Sequence, residues 1–326
     1  MNVVIFAKAF TTVSCTRSSA RSIRPPLRPH SETANALNFG RALKSSSLTA
    51  GAGEHSIDQH QAADPNGIVE VVNVAGSVLI SGWDQPEVAV TGQTGDDVQR
   101  VELSSSGNRT TIRVLVPDGG HWLGDSSAKL MIRVPAHSSL NVSLVSADLK
   151  LSGVSGAQQI RTVSGQIKSD GGGAARINTV SGDVHLSVPD STAAEIETMS
   201  GDVTVNGAGG DVSVSTVSGD GRLALGALRN FRLRTVSGDF TIGAALEPAA
   251  NFEAESISGN LKIDFAGAPA MQLDAQTLNG DIHNCKLPEA VRAQHGPGTR
   301  LNFSTGDGKS QVRLSSNSGD LVVCVK

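Results

Sequence analysis

The sequence contains few aromatic residues and few cysteines. Among 326 residues there are eight Phe, two Trp and no Tyr, so aromatic side chains make up only 3% of the chain. Aromatic platforms for ligand stacking are therefore scarce. The three cysteines, Cys15, Cys285 and Cys324, are too few for a disulfide scaffold or a cysteine-built metal site. No histidine spacing typical of a metal site occurs either, and we expect no metal and no other cofactor.

Long apolar runs and basic clusters are also missing. No run reaches the roughly 18 apolar residues of a membrane-spanning helix, so we expect a protein that does not span a membrane by helix. Residues 61–326 hold 20 Lys and Arg against 28 Asp and Glu. An acidic body without a basic cluster argues against nucleic acid as a partner, because phosphate neutralisation dominates that affinity.

The first 60 residues differ from the rest in composition. They hold seven Lys and Arg against three Asp and Glu, and after the start MNVVIFAKAF they are rich in Ser, Arg and Pro. Lys8 interrupts the apolar start, so the segment does not match an ordinary secretory signal. We expect residues 1–60 to be a disordered leader, or a targeting or extension segment.

A short motif recurs along the chain. It reads Thr-Val-Ser-Gly-Asp at Thr179, Thr216 and Thr235, with close variants elsewhere. We call its Ser-Gly-Asp triplet the corner. The corners, variants included, begin at Ser146, Ser164, Ser181, Ser200, Ser218, Ser237, Ser258, Asn279 and Ser318. They are 17 to 21 residues apart, except for a last interval of 39 residues.

Apolar and polar residues alternate on both sides of each corner, which is typical of strands with one buried face. The Thr of the motif falls on the buried side of this alternation. A unit of about 19 residues cannot bury its apolar face alone, but copies stacked as rungs form a continuous core. We therefore predict an all-β fold, a parallel β-helix or β-solenoid with an irregular N-terminal β cap.

The regular rungs are predicted to occupy residues 141–326. Residues 61–140 follow the plan less regularly, with a corner at Ala75-Gly76-Ser77 and a hairpin around Ser106-Gly107-Asn108. We interpret residues 61–140 as the irregular capping region that repeat proteins need to block open-ended stacking.

The segment IDQHQAADPNGIVEVVNVAGSVLISGWD, followed by serial TVSGD rungs, resembles the bacterial putative adhesin family of β-strand-repeat domains, a domain family of unknown function. The resemblance covers roughly residues 57–326. It implies a β-solenoid that is exported to the periplasm or cell surface, with no known catalytic residues to transfer. Such proteins usually begin with a clear signal peptide, which this sequence lacks.

The corner residues are the first candidate site. Stacked Asp side chains are compatible with calcium ligation, but the turn role is favoured, in which Asp accepts hydrogen bonds from nearby backbone N–H groups. Gln166 and Asn260 occupy the Asp position without charge, and the Gly is expected to need a positive φ. The structural turn residues are Gly165, Gly182, Asp183, Gly201, Asp202, Gly219, Asp220, Gly238, Asp239, Gly259, Gly280, Asp281, Gly319 and Asp320.

A column of basic side chains two residues after the Asp position is the second candidate site. It faces outward and is interpreted either as a binding stripe for anionic glycans or as an ordinary solvated face. The possible ligand-facing column is Lys150, Lys168, His185, Arg222, Lys262 and His283.

Catalytic constellations are not evident. Nucleophilic catalysis needs Ser or Cys beside a His and an acid, yet His185 and His283 are expected about five rungs apart. Cys285 and Cys324 occupy the same place in their rungs. They form a disulfide if residues 288–309 loop out so that these rungs are adjacent, and they cannot if a full rung intervenes.

These observations favour a non-enzymatic cell-envelope protein, an adhesin or surface-interaction protein presenting a repetitive lateral face. Regular rungs are expected to leave no cleft for chemistry. The expected partner is an envelope polysaccharide, a membrane surface or another protein. The alternative is a carbohydrate-active β-helix enzyme acting on an acidic polysaccharide, which would need clustered carboxylates and aromatic residues such as Trp83 and Trp122.

Overall fold

The computed structural model describes residues 55–117, 125–267, 269–285, 291–292 and 298–325. In these residues the regular secondary structure is entirely β, and the 23 strands belong to one hydrogen-bonded sheet. The predicted all-β solenoid is confirmed. Of the predicted leader, residues 1–54 lie outside the described residues, and residues 55–60 belong to the first strand. The described residues include no helix suited to crossing a membrane.

Strands near the N-terminal end of the stack are partly antiparallel. The predicted hairpin around Gly107 is confirmed, because Ser106 pairs with Arg109 across it. The third strand pairs antiparallel with both the first and the sixth. These strands are β1 (His55–Ala62), β2 (Ile68–Trp83), β3 (Glu87–Thr94), β4 (Arg100–Ser106), β5 (Arg109–Leu115) and β6 (Ala128–Pro135).

The middle strands stack in parallel and in chain order. Ile177 pairs with Ile160 on one side and with Ile196 on the other, so equivalent positions of the repeat form columns. These strands are β7 (Ser139–Val154), β8 (Gln158–Ser164), β9 (Ile167–Gly171), β10 (Ala175–Ser181), β11 (Val184–Ser187), β12 (Ala194–Ser200), β13 (Val203–Asn206), β14 (Gly210–Ser218), β15 (Gly221–Ser237), β16 (Phe240–Ser258) and β17 (Leu261–Phe265).

The inward columns form one continuous core. Ile177, Val184 and Leu186 are at most 1% exposed, and the Thr of the motif is buried beside them, as predicted. Toward the C-terminal end the core becomes aromatic, with the Phe231 and Phe252 ring centroids 4.4 Å apart. Burial of these apolar side chains is the main stabilising contribution, at roughly 25 cal/mol per Å² removed from water.

Corner glycines are required by close approach as well as by backbone conformation. Gly201 has φ of 123°, and a Cβ built on it would lie 2.3 Å from the carbonyl oxygen of Gly182 in the rung before. Gly280 lies outside the left-handed region, yet its Cβ would lie 2.2 Å from the Gly319 oxygen. The expected positive φ is therefore only part of the reason for glycine, since the rungs also approach too closely there for any side chain.

The C-terminal strands do not stack in chain order. β22 lies between β16 and β18, and β23 lies between β17 and β19. The last two strands of the chain thus lie between the rung of β16 and β17 and the rung of β18 and β19. β21 covers the outer side of β18 by pairing antiparallel with it. These strands are β18 (Met271–Asn279), β19 (Ile282–Cys285), β20 (Val291–Arg292), β21 (Thr299–Ser304), β22 (Ser310–Ser318) and β23 (Leu321–Val325).

The N-terminal end departs from chain order in a similar way. β2 pairs in parallel with β7 on one side and with β5 and β6 on the other. The chain therefore forms the β2 rung first, adds β5 and β6 on one side of it, and later places β7 on its other side. On this side the first strand, β1, lies outermost, because it pairs with β3, which in turn pairs with β6.

Candidate functional site

The Asp column links neighbouring rungs. The Asp202 carboxylate accepts the backbone N–H of Asp220 at 3.0 Å, and the Asp202 N–H donates to Asp183 at 3.0 Å. Asn260 replaces Asp and uses its side-chain oxygen in the same way, accepting from the Asp320 N–H at 2.9 Å. These side chains accept backbone hydrogen bonds, as expected. The donor differs from the expectation, because the N–H belongs to the next rung rather than to the same turn.

The corners separate two outward faces. We define the pre-corner face as the outward side chains of the strands that lead into corners, which include β8, β10, β12, β14, β18 and β22. We define the post-corner face as the outward side chains of the strands that follow corners, which include β9, β11, β13, β17, β19 and β23. Inward side chains of both sets share the core.

The predicted basic column lies on the post-corner face. Lys150 pairs with Lys168, and Lys168 with His185, so three basic residues occupy consecutive rungs. Arg222 lies two rungs further along, between Thr204 and Thr241. Within the described residues, no ion pair joins Lys150, Lys168, Arg222 or Lys262 to a carboxylate.

The far end of the column is less regular than the sequence predicts. Because the last strand is inserted out of order, Val322 separates Lys262 from His283. His185 is only half-exposed, in contrast to the exposed lysines. The column is therefore two groups of basic residues, one at Lys150, Lys168 and His185 and the other around Arg222 and Lys262.

Arg222 lines an open depression of about 1200 Å³ on the post-corner face. Its floor consists of small residues, and a Cβ built on Gly243 would meet no atom within 4 Å. Thr204, Thr241 and Asn206 supply hydroxyl and amide groups beside the guanidinium. The depression thus offers a cation and hydrogen-bonding groups around space that a ligand can fill.

One wall of this depression depends on glycine and on an unusual backbone. A Cβ on Gly226 would lie 2.3 Å from the carbonyl oxygen of Asp190, so glycine allows residues 189–191 to lie close to the next rungs. Ala208 is fully buried at φ of 60°, a conformation that costs a non-glycine residue about 1–2 kcal/mol. Alternation rules do not predict this wall, because it depends on the irregular returns between rungs.

The pre-corner face carries mostly paired charges. Arg176 donates to Glu195 at 2.8 Å, Arg232 contacts Glu253 at 3.0 Å, and Arg234 contacts Glu255 at 3.3 Å. The hydrogen bond to Glu195 raises the pKa of Arg176 above its ordinary value. These three arginines are therefore neutralised by glutamates of a neighbouring rung, in contrast to the free cations of the post-corner face.

An apolar ridge also runs along the pre-corner face, and the sequence interpretation missed it. Its side chains are 42 to 56% exposed and come from the position between Thr and Ser of the motif. Only Asn317, between Ile257 and Leu278, interrupts it. Because the Thr of the motif points inward, alternation predicts that the next residue points outward. The ridge could therefore have been predicted from the sequence. The ridge is Val145, Val163, Val180, Met199, Val217, Val236, Ile257 and Leu278.

The regular rungs carry open grooves, although we expected them to leave no cleft for chemistry. Besides the Arg222 depression, a groove of about 730 Å³ follows the starts of the pre-corner strands, between Ala174, Ala193 and Phe231. Its charged residues include the paired Arg176 and Glu195. No cluster of three or more His, Cys, Asp or Glu suited to a metal occurs among the described residues.

The candidate catalytic residues stay apart. His185 and His283 lie on the post-corner face, separated by the rungs of Thr204, Arg222 and others. Trp83 donates its indole N–H to the Glu87 carbonyl at 2.9 Å and is covered by Arg133, 5.6 Å from the ring centroid. Trp122 lies outside the described residues.

Cys285 and Cys324 form a disulfide. They pair in register on β19 and β23, with Cα atoms 4.6 Å apart. The rungs of β19 and β23 are adjacent, as in the first of the two arrangements that the spacing allowed, although residues 299–304 form the capping strand β21. The bond ties the outermost rung to the inserted C-terminal strand.

The sequence profile of the family Toastrack DUF4097 matches residues 81–323. The chain belongs to this family. Toastrack domains have a β-solenoid-like fold, which agrees with the stacked rungs. The family is one of unknown function, so membership assigns no ligand and no reaction.

Several solved structures resemble the chain at low similarity. A "putative adhesin" from Parabacteroides distasonis is 12% identical, with 84% of this chain and 98% of that chain covered and a TM-score of 0.38. Another from Bacteroides fragilis is 11% identical, with 84% and 99% covered and a TM-score of 0.34. A "putative cell adhesion protein" from Clostridium sporogenes is 10% identical, with 83% and 100% covered and a TM-score of 0.25. No curated protein matches the chain.

Proposed function

We propose that this protein is a non-enzymatic, exported cell-envelope protein whose post-corner face binds an acidic polysaccharide. The observation that supports the proposal most is the set of free cations on that face. Lys150, Lys168, Arg222 and Lys262 have no carboxylate partner among the described residues. Unneutralised cations on a regular surface attract polyanions, and Arg forms charge-assisted hydrogen bonds with carboxylates.

The geometry of the face suits a chain-like ligand. Rungs repeat at about 4.8 Å, so the basic residues form a line rather than a pocket. The Arg222 depression lies on the same line and adds hydroxyl and amide groups from Thr204, Thr241 and Asn206. A linear polymer with carboxylates and hydroxyls can meet the line of charge and the depression together.

The disulfide supports an exported location. Disulfides form and persist in oxidising compartments such as the bacterial periplasm and cell surface, and they are rare in the cytosol. Cys285 and Cys324 are half-exposed or exposed on the post-corner face. A reducing cytosol would leave them as accessible thiols.

Binding without turnover is favoured over catalysis. A glycosidase would need two carboxyl groups flanking the bond to be cleaved, with one proton donor among them. In the depression, the carboxylates of Asp190 and Asp264 lie on opposite sides of Arg222 in the rung order.

A binding assay on the purified full chain tests this proposal. We expect retention on immobilised alginate or hyaluronate, no retention on dextran, and no release of reducing ends. The double variant Lys150→Glu/Lys168→Glu should lower affinity at least tenfold, because it replaces two cations by carboxylates. Arg161→Glu on the pre-corner face makes the same charge change as either single variant, Lys150→Glu or Lys168→Glu. It is the matched control for those single variants and should bind like the wild type.

Two outcomes would count against it. Release of reducing ends from either acidic polymer would replace the binding function by an enzymatic one. Equal loss of affinity in the Arg161→Glu control would show that net charge, rather than the post-corner face, drives the retention.

A further inference from the structure

The apolar ridge is large for a surface that stays in water. Seven consecutive rungs, from Val145 to Ile257, contribute to it, which at about 4.8 Å a rung gives a strip roughly 29 Å long. Single exposed apolar residues are normal, but contiguous apolar patches usually mark interaction sites. A straight ridge with this period fits best against another surface with the same period.

Charges beside the ridge are arranged oppositely on the two sides of the Val217 rung. In the column that contains Ser213, Arg176 and Glu195 lie two and one rungs before it, and Arg232 and Glu253 lie one and two rungs after it. In the column of Ser215, Glu197 lies one rung before and Arg234 one rung after. Reversing the rung order about Val217 therefore exchanges the signs of these charges.

We propose that two copies of this chain pack pre-corner face against pre-corner face, antiparallel, about a two-fold axis through the Val217 rung. The Arg176–Glu195 pair of one copy then lies against the Arg232–Glu253 pair of the other copy. In this arrangement Arg176 faces Glu253, and Glu195 faces Arg232. Glu197 faces Arg234 in the adjacent column. Ser213, Ser215 and Val217 face their own copies at the axis, as an isologous interface requires. Asp211 of the same rung also faces its own copy, and its carboxylate is paired with Arg229 at 3.5 Å.

Other arrangements of the same two faces bring like charges together. Moving the axis half a rung toward the N-terminal end places Arg176 against Arg232, and moving it half a rung the other way places Glu195 against Glu253. In a parallel two-fold arrangement, the Ser213 column of one copy faces the Ser215 column of the other, rung by rung. Glu195 then lies against Glu197, and Arg232 lies against Arg234. Like charges directly opposite across paired surfaces are unfavourable, so the charge pattern selects one register.

The area of the face is sufficient for a stable dimer. From Val145 to Leu278 the stack spans eight rung intervals, or about 38 Å, and seven residues of strand span about 20 Å. The product is roughly 760 Å² per copy, close to the roughly 800 Å² that each partner buries in a standard interface. This surface is separate from the post-corner face, so dimerisation does not depend on polysaccharide binding.

Sedimentation of the full chain over a range of concentrations tests the dimer. We expect the wild type to dimerise, and Val217→Glu to raise the dissociation constant at least a hundredfold, since each variant carboxylate faces its own copy at the axis. Met131→Glu is the matched control, because Met131 is 54% exposed in the column of Leu79 and Lys150 on the post-corner face. This change should leave dimerisation unchanged. Glu197→Arg should weaken the dimer at least tenfold, and adding Arg234→Glu should restore it.

Cross-linking distinguishes the orientation. In a Cys15→Ser background, Val217→Cys should form an intermolecular disulfide with its own copy under mild oxidation. Val145→Cys alone should not, but it should cross-link to a chain carrying Leu278→Cys. A wild type that sediments as a monomer at its highest soluble concentration would overturn the proposal. Rapid cross-linking of Val145→Cys with itself would overturn the antiparallel arrangement, and circular dichroism shows that each variant is folded.

Discussion

The two outward faces of the rungs share one core and one set of corners but differ in how they use charge. On the pre-corner face Arg176, Arg232 and Arg234 are paired with glutamates of the neighbouring rung. On the post-corner face Lys150 and Lys168 occupy adjacent rungs without partners among the described residues. Paired charges favour a fixed surface for a protein partner, and free charges favour a polyanion.

This difference shows which residues the fold constrains. Inward positions must fill one continuous core, and corner positions must allow close approach, so both repeat almost unchanged. Outward positions meet only water and their neighbours in the column, so each face is free to acquire its own chemistry. Differences between the outward columns are therefore more informative about function than the conspicuous motif.

The corner joins the two faces, so breaking it should have the largest effect and should damage both. Gly201→Val places a side chain where a Cβ already lies 2.3 Å from the Gly182 oxygen, at φ of 123°. We expect a loss of roughly 3–5 kcal/mol of stability, combining backbone strain with the clash. Thermal unfolding followed by circular dichroism measures it.

Gly243→Val is the matched control for this variant. Gly243 is also a glycine of a stacked strand, but a Cβ there meets nothing within 4 Å. We expect its melting temperature to stay near that of the wild type, while the added side chain fills the Arg222 depression and weakens polysaccharide binding. Equal melting of Gly201→Val and the wild type would contradict the close-approach account of the corner.

The disulfide offers a way to disturb one face and spare the other. Replacing Cys285 and Cys324 by Ser removes a link across 39 residues, and we expect a loss of roughly 2–4 kcal/mol, because the unfolded chain gains freedom. Hydrogen exchange should rise first in β19 and β23, at the end of the post-corner face. Cys15→Ser is the control, and uniform exchange along the whole stack would contradict a local role.

Much of the fold could be predicted from the sequence, because the repeat shows which residues share a column and where the chain turns. The period places Ile160, Ile177 and Ile196 in one inward column, and the recurring glycine marks the corner. The partner of the Asp side chain could not be predicted in the same way. A turn and an inter-rung bond use the same residue type, and only the register shows that Asp183 reaches Asp202.

The order of the end rungs could not be predicted from the sequence either. The interval of 39 residues before Ser318 indicates extra chain, but pattern alone does not say that β22 inserts between β16 and β18. The apolar ridge, by contrast, follows from alternation, because the residue after each buried Thr points outward.

The Asp ladder gives the smallest expected effect and separates hydrogen bonding from charge where the two faces meet. Asp202→Ala removes the acceptor for the Asp220 N–H, which is 3.0 Å away, and we expect a loss of about 1 kcal/mol. Asp202→Asn keeps a side-chain oxygen there, as Asn260 does naturally, so its melting temperature should match that of the wild type. Chemical unfolding of both variants in parallel measures the difference.

Asp170→Ala controls for the loss of a carboxylate on the post-corner side. The Asp170 side chain is exposed and makes no hydrogen bond or ion pair with the described residues, so its removal should leave stability unchanged. If Asp202→Asn were as destabilised as Asp202→Ala, the ladder would depend on negative charge rather than on an acceptor. Cation binding along the corner column would then need to be tested again, because charge is the property that a hydrogen-bond ladder does not require.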